Sequence, residues 1–213
     1  MHRALAFALS LTTQEDEPGL NDWLLKTLDE HWQPRGVLLA LPDVSGRQLE
    51  CYGRVNGRAV SMTLEASDFG HPLAGVLHNN QARIWETLNG GARIEHATFR
   101  AFLQDVGSQN GLYALPIRDA QAKTLGVLGL FADADTLLQW RDEEDLTLLT
   151  RIYARQLARV QIMRHSQRER SALRDSLRQI TGASRQRQQQ ASLLETQLIG
   201  QSDAMRRLRE HIA

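Results

Sequence analysis

Cysteine is nearly absent from this 213-residue chain, where Cys51 stands alone. No intramolecular disulfide can form, which suits a reducing compartment, and no Cys/His cluster has the spacing of a zinc site, so no metal is expected. Lysine is almost as scarce, with Lys26 and Lys123 the only two among 25 basic residues. Long hydrophobic runs are missing too. The apolar stretch at residues 4–9 is too short for a membrane span and lacks the cleavage pattern of a leader. A cytoplasmic protein without membrane partners is therefore expected. Catalytic signatures are equally wanting: there is no Gly-x-Ser-x-Gly, no His-Glu-x-x-His and no Gly-x-x-x-x-Gly-Lys-[Ser/Thr].

Net charge of one sign is also lacking overall, but it is present in each part. Residues 1–150 hold 12 Lys+Arg against 20 Asp+Glu, whereas residues 151–213 hold 13 against 5. An acidic segment is thus joined to a basic one near residue 150. The first is long enough to bury a core without staples.

Periodicity orders the acidic segment. Residues 18–32 place Leu20, Trp23, Leu24, Thr27, Leu28 and Trp32 at helical spacing, and Pro34 ends the pattern. Gly36-Val37-Leu38-Leu39-Ala40-Leu41-Pro42 is a continuous apolar run between breakers, the mark of a strand buried on both faces. Residues 48–55 and 58–64 flank Asn56-Gly57, a strong hairpin signal, so three strands are expected as a meander. A short helix follows Pro72, with Leu73, Val76 and Leu77 on one face. Residues 82–87 read as a strand and residues 97–106 as a helix closed by Gly107. Residues 111–117 and 124–131 read as two further strands; Gly126 and Gly129 in the second suggest close approach of a backbone or a ligand. These elements make an α+β sandwich around one antiparallel sheet, followed by a long C-terminal helix of coiled-coil-like character.

That helix is expected to begin with Asp142-Glu143-Glu144-Asp145, four acids in the first turn. Leu146, Leu149, Tyr153, Val160 and Met163 keep a three-four spacing with a gap at Gln156. Leu173, Leu177, Ile180, Ala191, Leu194 and Leu198 form a second series. The ten residues between Met163 and Leu173 imply a register slip, and Thr181-Gly182 a weak point. Leu146, Leu149, Tyr153, Val160, Met163, Leu173, Leu177 and Ile180 are the residues expected on a homodimer face. Ten arginines lie between residues 151 and 190, against Glu169 and Asp175. Without aromatic interleaving or a helix-turn-helix pattern, they read as a solvated linker helix; DNA binding is the competing reading.

Sites are harder to read. Cys51 lies in a strand pattern, where a buried small hydrophobe is the plainer reading than a nucleophile. His71 and His78 are seven apart and lack a third ligand, so His71 is read as a helix-start residue and no metal is assigned. Cys51, Phe69, Trp85, Phe99 and Tyr113 are candidates to line a small-molecule pocket. No cofactor is identified, and the ligand's identity is not written in the residues.

Two stretches resemble a known family. Leu198-Ile199-Gly200-Gln201-Ser202-Asp203-Ala204-Met205-Arg206-Arg207-Leu208-Arg209-Glu210-His211-Ile212 is similar to the opening of the AAA+ ATPase domain in bacterial sigma-54-dependent transcriptional activators, the enhancer-binding proteins. Upstream, Gly70-His71-Pro72-Leu73-Ala74 and Leu125-Gly126-Val127-Leu128 resemble the middle helix and last strand of a GAF sensory domain. The resemblance implies a GAF-like domain at 1–140, a signalling helix at 141–197 and the beginning of an AAA+ domain at 198–213. It also implies a homodimer through the C-terminal helix, with the chain's own AAA+ domain, sigma-54 RNA polymerase and enhancer DNA as partners of the full-length protein. The His-Pro-Leu-Ala segment further resembles activators associated with type VI secretion gene clusters. The phosphate-binding loop, acidic metal motif and sigma-contacting loop of the family are not in this sequence, so it is expected to be a fragment that is not itself an enzyme. The alternative within the fold is an interaction module without a small-molecule ligand that restrains the ATPase or is relieved by a partner protein. A third reading, the GAF branch that reduces free methionine sulfoxide, relies on several cysteines.

Overall fold

The computed structural model describes residues 2–88, 94–107 and 109–201, together with Asp203, Ala204, Arg207 and His211. Helix α1 (His2–Leu11) and helix α2 (Glu17–Trp32) lead into strands β1 (Gly36–Pro42), β2 (Gln48–Val55) and β3 (Arg58–Glu65). Helix α3 (Pro72–Asn79), strand β4 (Arg83–Trp85) and helix α4 (Ala97–Val106) follow. Strands β5 (Gly111–Arg118) and β6 (Thr124–Ala132) complete the sheet, and helices α5 (Ala134–Arg141) and α6 (Glu144–Gln201) close the sequence of elements. The six strands form one antiparallel sheet in the order β3-β2-β1-β6-β5-β4.

The apolar run of β1 makes it a central strand. It pairs with β2 on one side and β6 on the other, and Gly36 to Leu41 are buried without interruption. Its alternate side chains feed two cores: Val37, Leu39 and Leu41 face one, Leu38 and Ala40 the other. The hairpin between β2 and β3 turns on Asn56 and Gly57, at φ 49° and 76°, the left-handed pair that such a two-residue turn needs.

Helix α2 starts at Asp16, whose carboxylate accepts the Gly19 N–H at 2.8 Å, and it stops where Gln33 enters the left-handed region. Its buried face includes Leu20, Leu24, Leu25 and Leu28, and it lies in the first core with Phe7 and Leu11 of α1 and Leu137 and Trp140 of α5. Leu73, Val76, Phe99, Phe102 and Val106, from α3 and α4, line the second core.

The structure divides into two units, residues 1–162 and 163–213. The first turns of α6 belong to the first unit, and the reason lies in their packing. Leu146, Leu149, Tyr153 and Leu157 are all but fully buried in the first core, and Val160 is 8% exposed. The Tyr153 hydroxyl donates to Asn21 Oδ1 at 2.6 Å, a buried bond between α6 and α2. The gap in the stripe is also accounted for: Gln156 sits half-buried and its Nε2 donates to the Gln14 carbonyl at 3.4 Å.

Two helices escape the sequence pattern. Helix α1 buries Phe7 and Leu11 at a spacing of four, and α5 buries only Leu137 and Trp140 in eight residues, too few for a periodic signal. The acidic quartet is consequently split. Asp142 caps the C-terminus of α5 and pairs with Arg141 at 3.0 Å, Glu143 Oε2 accepts from Trp32 Nε1 at 2.7 Å, and only Glu144 and Asp145 stand in the first turn of α6. The expected strand at residues 82–87 shortens to the three residues of β4.

Candidate functional site

The five pocket candidates fall on different surfaces. Cys51 and Phe99 are buried in the second core with Trp85 partly buried against it, whereas Tyr113 is buried in the first core. Phe69 is 61% exposed and meets His78 edge-on, ring centroids 5.7 Å apart. Cys51 donates weakly to the Leu49 carbonyl at 3.6 Å, and burial pushes its thiol up to about 12. At neutral pH it is a protonated, inert thiol.

His71 is the buried histidine, 1% exposed, at the N-cap of α3. Its Nδ1 accepts the Ala74 N–H at 3.3 Å, so its Nε2 carries the proton and donates to the Glu65 carbonyl at 2.9 Å. One neutral ring thereby ties the end of β3 to the start of α3. His96 caps α4 in the same way through Phe99 N–H, and the two rings meet edge-on at 5.7 Å. With both its nitrogens engaged, His71 is a capping residue; His78 lies against Phe69 instead. Burial holds His71 below the ordinary histidine range, followed by the opposing pulls of the Glu65 carbonyl and Asp68 and the added push of His96.

A pH dependence follows with a definite sign. Because the folded state binds the His71 proton less readily than the unfolded chain, its contribution is complete above about pH 6.5 and is lost as pH falls through the lowered value. Protonated Nδ1 cannot accept from Ala74, so the loss includes the cap, about 1 kcal/mol. Urea midpoints measured at pH 7.5 and 5.5 should differ more for the wild type than for His71→Asn, whose amide caps without titrating. Equal differences would show that His71 does not contribute.

A cleft of about 270 Å³ opens on the other side of the sheet, where β5 meets the first turns of α6. Tyr113, Leu115, Ile117 and Leu146 give it an apolar floor. Arg118, Thr147, Thr150 and Arg151 supply its polar edge. Arg118 is held in place by Asn80, the left-handed C-cap of α3: its Nε donates to Asn80 Oδ1 at 2.6 Å and its Nη2 to the Asn80 carbonyl. Burial raises Tyr113 above the usual phenol range, with Arg141 opposing, so its hydroxyl stays protonated. Of the five pocket candidates only Tyr113 lies here. The arginines went unrecognised as a pair because 33 positions separate them in the chain.

No protein-family model matches this chain, and no curated protein sequence does. Solved structures do. The A. aeolicus nlh2 GAF domain in an inactive state superposes with a TM-score of 0.53 at 13% identity, over 76% of this chain and 97% of that one. The fold is that of a GAF domain. Residues 122 to 287 of a methyl-accepting chemotaxis protein give 0.56 at 11% identity, over 74% and 98%. The free methionine-R-sulfoxide reductase of Neisseria meningitidis, in complex with its substrate, gives 0.51 at 12% identity, over 75% and 89%. One fold hosts many functions, so the function of this chain lies in its own site residues. Among the described residues, no three His, Cys, Asp or Glu form a group able to hold a metal ion, and no helix is long and apolar enough to cross a membrane.

Apart from Leu148, 37% exposed, the exposed large apolar residues of α6 lie from the end of the first unit onward. Ile162 and Met163 are 68% and 52% exposed, and Leu173 and Leu177 are 64% and 54% exposed. The expected dimer residues therefore separate: Leu146, Leu149, Tyr153 and Val160 pack inside the domain, while Met163, Leu173 and Leu177 do not. The side chains of Ile180, Ala191, Leu194 and Leu198 lie outside the described residues, as does most of the 198–212 motif.

Proposed function

We propose that residues 1–162 are a signal-sensing GAF domain that regulates the AAA+ ATPase of a sigma-54-dependent transcriptional activator through α6. The observation that carries this reading is the double membership of that helix. Its first turns are core residues of the GAF fold, and the same element runs on to Gln201 through the exposed Met163, Leu173 and Leu177. A change in the domain's core is thus a change in the seating of the helix itself. The motif at residues 198–212, with its resemblance to the start of the ATPase domain, supports what stands downstream. Full-length partners in this reading are sigma-54 polymerase and enhancer DNA, and type VI secretion genes are its candidate targets.

In the same reading α6 works as a pair, with Met163, Leu173 and Leu177 facing a second copy. Sedimentation of this chain at tens of micromolar should give a dimer. A monomer at that concentration would remove the helix pair and leave regulation to a route within one chain.

The packing of Cys51 and Phe99 among Leu38, Leu73, Leu112 and Phe131 supports a second reading, in which the domain answers to a partner protein and not to a ligand held between the sheet and α3–α4. Reductase chemistry is disfavoured in both, because the single cysteine is buried and protonated.

A further inference from the structure

We infer that the cleft between β5 and α6 binds a small amphipathic carboxylate, its charge held by Arg118 and Arg151 and its apolar body laid on Leu115, Ile117 and Leu146. The lining includes both Arg118 and Arg151 and no carboxylate residue. An apolar floor with a few polar groups at one edge is the general design of a small-molecule site, and a volume of about 270 Å³ lies just under the range of drug-sized pockets. The occupant is accordingly small.

The arginines are suited to different parts of the task. Asn80 commits Nε and one Nη of Arg118, and Asn80 is itself anchored by its Nδ2 donating to the Ala122 carbonyl at 3.0 Å. This sets the plane of the Arg118 group, while a guanidinium with five N–H donors keeps others for a carboxylate. Arg151, exposed on α6, approaches from the helix side. The Thr150 hydroxyl is turned to its own helix, at 3.1 Å from the Leu146 carbonyl and 2.9 Å from that of Thr147, so the charge contacts fall to the arginines.

An occupant would touch β5 through Arg118, Leu115 and Ile117 and α6 through Leu146 and Arg151, bridging the sheet to the start of the output helix. That consequence rests on the sensory reading above; the binding rests on the cleft alone.

Calorimetric titration of the chain with octanoate and benzoate tests the site, with 1-octanol and inorganic phosphate as controls. The carboxylates should bind, 1-octanol and phosphate at least tenfold more weakly, and Arg151→Gln should weaken carboxylate binding at least tenfold without altering the melting temperature of the free chain. Arg118→Gln should do the same to binding. No carboxylate binding, equal binding of 1-octanol or phosphate, or undiminished binding by Arg151→Gln would each overturn the assignment. Sedimentation with saturating octanoate separates the two claims: binding that obeys the arginine variants but leaves the monomer–dimer equilibrium unmoved upholds the site and refutes its role in signalling through the helix pair.

Discussion

Leu149→Ala should lower the stability of the domain by about 3 kcal/mol, while Leu177→Ala on the same helix should change it by less than about 0.5 kcal/mol. Leu149 is 0% exposed in the first core and Leu177 is 54% exposed. Truncating the first removes buried methyl groups and leaves a cavity between α6 and its neighbours, a loss that the rigid surroundings recover only in part. Truncating the second removes nothing from the fold of one chain. For a domain of this size a loss of about 3 kcal/mol corresponds to a melting temperature lower by roughly 6–12 °C. In sedimentation the order should reverse, with Leu177→Ala weakening the dimer in the proposed function. A Leu149→Ala variant that melts with the wild type would show that the first turns of α6 are not core, and the transmission route would lose its physical basis.

The contrast between these leucines also shows why spacing alone does not separate a core face of α6 from a dimer face. A three-four spacing records that one face of a helix is covered, and it is the same whether the cover is the chain's own sheet or a second copy. Leu146, Leu149 and Tyr153 carry the pattern because they share a core with α2 and the sheet, and Val160 beyond them is buried too. The slip between Met163 and Leu173 coincides with the end of that cover, since the first unit stops at residue 162. The change of register thus falls where the domain's own cover ends.

Local signals elsewhere were sufficient. The uninterrupted run of β1, the Asn56-Gly57 turn and the Pro72 helix start each depend on neighbours within a few residues, and each is found in place. The pocket candidates depended on register between distant strands, which no local pattern contains. Tyr113 stands opposite Leu130, and Leu130 opposite Val37; Cys51 stands opposite Ala40, three residues from Val37 and so on the other face. The pairing of β1 with β6 decides this, across about ninety residues of chain. Arg118 and Arg151 meet at one cleft for the same kind of non-local reason.

Gly126 and Gly75 should respond to the same substitution with opposite signs. Gly126→Ala in β6 would place a Cβ 2.5 Å from the Ala40 carbonyl oxygen and 2.6 Å from Leu41 Cδ2. The leucine can turn away; the oxygen belongs to the backbone of β1 and can yield only if the two central strands separate. Overpacking at such a point should cost about 3 kcal/mol. Gly75 lies within α3 with nothing inside 4 Å of the added carbon, so Gly75→Ala gains helix propensity and reduces the freedom of the unfolded chain, about 0.5–1 kcal/mol in favour of folding. Urea unfolding of the two variants beside the wild type reads both effects. If Gly126→Ala is as stable as the wild type, the approach of β1 to β6 at this point is looser than described. The glycine read from sequence as a place of close approach is then explained by the backbone of β1, and no ligand is required there.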